Sequence, residues 1–110
     1  MGCLENRIEM LCRKKGKLLN EIRYLQFGIQ LETRTYTRIE RELVFYRELE
    51  EKMRETGFNY HLYPRVKDTL LKLKRREEII SLRLETLNSL GLIAERKLDN
   101  ITNELNIETF

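Results

Sequence analysis

The chain has 110 residues, of which 35% are charged and 41% apolar, with one proline, five glycines and no tryptophan. That length accommodates one domain with a modest core, and the mixture suits long helices with solvated faces, being too apolar for a disordered tail. Twenty-one basic against 18 acidic residues leave +3, too small an excess to specify a partner, and no run of 18 apolar residues predicts a membrane span.

Met1-Gly2-Cys3 opens the chain. Gly2 followed by Cys3 is the arrangement of paired myristoyl and palmitoyl anchors, although Asn6 stands where a Ser or Thr usually follows. An added Met-Gly start gives the same three residues. Cys3 and Cys12 are the only cysteines; nine residues apart on one helix, they are too distant to bridge. With no histidine near them they form no metal site, and a reducing, intracellular compartment, nuclear or cytoplasmic, is the expectation.

A seven-residue repeat then runs through Leu4, Ile8, Leu11, Lys15, Leu18, Ile22, Leu25, Ile29, Glu32, Tyr36, Ile39, Leu43, Tyr46, Glu50 and Met53. Twelve of these fifteen a and d positions are apolar or tyrosine and the frame never shifts, as in a supercoiled seam. The spacing predicts a helix over about 4–56. Gly57 suits a left-handed helix terminator. Phe58 to Tyr63 carry no helical pattern, so a loop is expected over about 57–63, and Pro64 suits the first turn of a new helix.

The second helix, over about 64–107, repeats as Val66, Leu70, Leu73, Glu77, Ile80, Leu84, Leu87, Gly91, Ala94, Leu98, Ile101 and Leu105. So short a connection turns the chain back on itself. The fold class expected is all-α: a single domain of two long helices in an antiparallel coiled-coil hairpin, pairing into a bundle with itself or a partner.

Two registers bring a positions opposite d positions, one with facing residue numbers adding to 116 and one to 123. Answering the polar seam residues favours 123, because an unpartnered charge is costly to bury. There Glu32 faces Gly91, Glu77 faces Tyr46 and Lys15 faces Glu108, with only Glu50 unanswered opposite Leu73. Arg13, Lys14, Lys15 and Lys17 come level with Glu104 and Glu108, which neutralises them.

In an antiparallel pair the c and g positions of both helices share one lateral side. Helix 1 places Met10, Tyr24, Gly28, Leu31, Phe45 and Leu49 there, and helix 2 places Ile79, Leu90, Ile93 and Ile107. Phe45 is expected beside Ile79, and Leu31 beside Leu90 and Ile93. The b and e side is mostly polar. Aligned exposed hydrophobics mark a protein interface, and Gly28 would allow a second helix to approach closely.

No catalytic constellation is present. His61 stands alone in the loop, the glutamates occupy solvated helix faces, and no glycine-rich phosphate loop occurs. No enzyme activity, cofactor, metal or small-molecule substrate is expected. Nucleic acid is not an expected partner, and a membrane is one only if the N-terminus is lipidated. The tip aromatics Phe58, Tyr60 and Tyr63 either form a recognition knob or fold back over the open end of the bundle.

The run Arg13-Lys14-Lys15-Gly16-Lys17-Leu18-Leu19-Asn20-Glu21-Ile22-Arg23-Tyr24 resembles the basic-Gly-x-Leu-Leu-x-Glu-Ile opening of uncharacterised fungal coiled-coil segments. That resemblance implies a coiled coil and no particular activity. The architecture is also similar to the shorter hairpins that bind Rho-type GTPases, without their motif. The expected function is a protein–protein scaffold or dimerisation module of a larger intracellular complex. A small-GTPase effector hairpin and a surface module anchored at Gly2 and Cys3 are the alternatives.

Overall fold

The computed structural model describes residues 2–109, with side chains from Asn6 onward. The Gly2/Cys3 anchor and the first seam residue, Leu4, therefore lie outside the described side chains. Two long helices account for almost everything: α1, Gly2–Thr56, and α2, Tyr63–Thr109, with no strand among the described residues. The fold is an antiparallel helical hairpin.

The turn is built from local chemistry. Gly57 takes φ 70°, and its N–H donates to the Met53 carbonyl at 2.9 Å, closing α1 with a left-handed cap. Asn59 also has positive φ, at 49°, a conformation that Asn tolerates better than most residues. Residues Tyr60–Leu62 form one turn of 3-10 helix, and α2 begins at Tyr63. The connection is thus shorter and more helical than the sequence pattern implies, because hydrogen bonds at Gly57, Asn59 and Tyr60 organise a segment that lacks apolar periodicity.

Both predicted seams are the buried surfaces. Every seam residue from Ile8 to Met53 and from Val66 to Leu105 is buried or half-buried, while most of the intervening positions are exposed. Contacts gather into two compact units, Leu31–Glu85 and Met1–Gln30 with Thr86–Phe110. In the first, Ile39, Leu43, Met53, Val66, Leu70, Leu73 and Ile80 form a continuous core, flanked by Tyr36, Tyr46, Leu62 and Tyr63. In the second, Leu11, Leu18 and Ala94 are the buried hydrophobic residues.

The register corrects the sequence-based choice by one heptad. In the Leu31–Glu85 unit, Tyr63 Oη donates to Glu50 Oε1 at 3.2 Å and Arg83 meets Glu32 at 3.8 Å. In the other unit, a β-carbon on Gly28 would lie 3.6 Å from a Leu87 methyl, and Arg7 pairs with Glu108 at 3.2 Å. These partners have residue numbers adding to 113–115, so each unit adopts the 116 register and not 123. Glu32 therefore does not face Gly91, nor Lys15 Glu108, nor Glu77 Tyr46.

The physical reason lies in side-chain reach. Glu32 and Glu50 leave the seam sideways and keep 26% and 18% of their side chains exposed. Flanking groups rather than opposite seam residues answer them: Arg83 for Glu32, and Tyr63 with Arg54 for Glu50. Long polar side chains on helices escape a seam in this way, so the polar residues do not select the register. The apolar seams match in pattern at either offset, and the chain reversal at Gly57 and Asn59, centred on residue 58, agrees with the 116 register.

Candidate interaction face

Within the Leu31–Glu85 unit, Leu31, Phe45 and Ile79 are exposed on the c/g side, whereas Leu49 is half-buried against the core. Phe45 stands edge-on to Tyr46, with ring centroids 5.3 Å apart. The observed register brings Phe45 level with Leu71 and not with Ile79, which corrects the expected pairing. The placement of Leu31 beside Leu90 and Ile93 rests on the same discarded offset. Glu32, Thr35, Arg76, Ile79, Ile80 and Arg83 line a groove of about 270 Å³ on this side.

In the Met1–Gln30/Thr86–Phe110 unit, Met10, Tyr24, Leu90, Ile93 and Ile107 are exposed, Tyr24 and Ile107 at 79% and 77%. Gly28 is different. It is half-buried, and the nearest atoms to its missing side chain are the Leu87 methyls of the same hairpin. A methyl there would meet them at 3.6 and 3.7 Å, ordinary contact, so the pairing of α1 with α2 has room for more than a glycine.

The same side of this unit carries a feature that apolar patterning overlooks. Lys14, Lys17, Lys97 and Asn100 surround a groove of about 410 Å³ that also touches Leu18 and Ile101. None of the three lysines forms an ion pair with a described residue. Of the two carboxylates expected to neutralise them, Glu108 pairs with Arg7, and Glu104 forms no ion pair with a described lysine. The signal was present in the sequence as basic residues at g and c positions, but setting Glu104 and Glu108 level with them cancelled it.

Exposed hydrophobics are not confined to one side. Leu19, Val44, Leu71 and Leu92 occupy b and e positions, and Phe27 and Leu82 occupy the outermost f positions. Phe27 shares a groove of about 440 Å³ with Asn20, Arg23 and Tyr24. Pattern reading missed Phe27 and Leu82 because f positions are discounted as solvated; an aromatic at such a position was itself the available signal.

At the turn, Tyr60 and Tyr63 stack with ring centroids 5.0 Å apart, and Lys67 Nζ lies 5.0 Å from the Tyr63 ring centroid. Tyr63 and Leu62 pack against the core, while Phe58 and Tyr60 stay exposed. His61 is exposed, and among the described residues no group of three or more His, Cys, Asp or Glu could hold a metal ion. Cys12 is a free, exposed thiol. Neither helix contains a described stretch apolar enough to cross a membrane.

A hydrogen bond to Glu40, one turn along α1, raises the Tyr36 phenol above its ordinary value; the Glu40 charge, burial and the Glu77 charge of α2 add to it. The largest causes are thus local to α1, the hydrogen bond and charge of Glu40. No family model matches the chain, and no curated protein or solved structure is significantly similar to it.

Proposed function

We propose that the chain is a helical scaffold that assembles with another helical surface, its own copy or that of a protein partner, within a larger intracellular complex, nuclear or cytoplasmic. The observation that carries this reading is the exposure of large apolar side chains on the c/g side. In the Met1–Gln30/Thr86–Phe110 unit five of the exposed large hydrophobics fall there against two on the b/e side, and in the Leu31–Glu85 unit three against two. Water contact with that much aligned apolar surface is unfavourable, and covering it contributes roughly 25 cal/mol for each Å² removed from solvent. The partner-binding residues are Leu31, Phe45 and Ile79, with Leu49 at their inner edge, in one unit, and Met10, Tyr24, Leu90, Ile93 and Ile107 in the other.

Light scattering coupled to size exclusion, run across a concentration series, tests the reading. The wild-type chain is expected to dimerise or to co-elute with a partner, and Leu31→Asp or Ile93→Asp to reduce that assembly. A hairpin that remains monomeric at high concentration and is indifferent to both substitutions in every complex would sink the proposal.

A further inference from the structure

The c/g side of the Met1–Gln30/Thr86–Phe110 unit has a charge sequence as well as an apolar one. Lys14 and Lys17 on α1 and Lys97 on α2 converge on one groove, with Leu18 and Ile101 at its floor. One heptad away in one direction, Met10 and Ile107 lie at the same height; one heptad away in the other, Tyr24 and Ile93 do. All four are exposed. The side therefore reads apolar, cationic, apolar over two heptads, or roughly 21 Å of helix.

We propose that this side is the docking site of an acidic amphipathic helix from a protein partner. Its carboxylates would meet Lys14, Lys17 and Lys97, and its apolar residues would cover Met10 with Ile107 and Tyr24 with Ile93. This deepens the scaffold reading, on which it rests, by stating the chemistry of the partner.

Charge complementarity is the argument for the occupant. Three ammonium groups without a paired carboxylate repel one another, and an acidic helix relieves that repulsion and steers its own association. The shape agrees: the groove between two antiparallel helices accepts a third at an interaxial distance of about 8–10 Å. The apolar floor and flanks argue for a side chain rather than a phosphate group in the slot. Glu21 and Glu104 occupy the next g positions outside the lysines, so the preferred helix carries its carboxylates centrally.

The test uses the full chain and two fluorescent helical peptides of about 21 residues. Both share one apolar pattern; one carries central glutamates and the other central lysines. Anisotropy is expected to show binding of the acidic peptide only, weakened about tenfold or more by the triple variant Lys14→Glu, Lys17→Glu, Lys97→Glu. The single variant Lys17→Glu should give a smaller loss, and circular dichroism verifies that each variant keeps its helicity.

Equal binding of both peptides, no binding of the acidic one, or a triple variant that binds like wild type would overturn the proposal. Phosphatidylserine vesicles or poly(U) binding more tightly than the peptide, through the same lysines, would instead assign the groove to a lipid surface or a phosphate backbone. Loss of dimerisation in the triple variant, with no peptide bound, would assign it to a second copy. A chain that assembles through its apolar residues yet ignores the peptide removes this inference and leaves the scaffold standing. A monomeric chain that binds the peptide through the lysines removes self-assembly alone.

Discussion

Gly28→Ala is expected to stabilise the hairpin, and its size follows from two contributions. An interior helical glycine costs about 0.8–1.0 kcal/mol relative to alanine. The added methyl would lie 3.6 and 3.7 Å from the two Leu87 methyls, ordinary van der Waals contact with nothing to displace. Covering a half-buried methyl adds about 0.4 kcal/mol, half the value for full burial. The expected gain is about 1.3 kcal/mol, or on the order of 6 °C in Tm for a chain of this size. Gly16→Ala meets no atom within 4 Å and should gain only the propensity part, about 0.9 kcal/mol. Gly57→Ala, at φ 70°, should go the other way by about 1 kcal/mol, because alanine is strained there. Urea denaturation followed by circular dichroism at fixed protein concentration measures all three. A loss of stability in Gly28→Ala would refute the contact with Leu87 and the register it supports; a gain accompanied by unchanged assembly would place position 28 at the hairpin's own seam and not at a partner's approach.

Leu43→Ala, at a side chain that is 1% exposed, should cost about 2–5 kcal/mol in the same assay, whereas Ile79→Ala, on the exposed c/g side, should stay within about 0.5 kcal/mol at concentrations where the chain is dissociated. Tyr36 should ionise at higher pH than a free tyrosine, and Glu40→Gln should bring its midpoint back down, as read by NMR of ring-labelled protein. The sign for stability follows: because the folded-state value is raised, the contribution of the neutral phenol is present below pH about 10 and is lost as pH rises through the folded value.

The sequence alone determined both helices and both seams. A seven-residue repeat is a local property, and residues such as Ile39, Leu43, Leu70 and Ile80 can only be buried if the stripe they share faces a partner. Gly57 and Pro64 marked the turn for equally local reasons, φ above zero at one and a fixed φ at the other. The tertiary structure decided the offset between the helices. Seam patterns related by a shift of seven residues look alike, and the polar residues expected to break the tie instead reached sideways, Glu32 to Arg83 and Glu50 to Tyr63. That one heptad determined which residues share a height, and so separated Phe45 from Ile79, moved Glu108 to Arg7, and brought Lys97 to Lys14 and Lys17 around one groove.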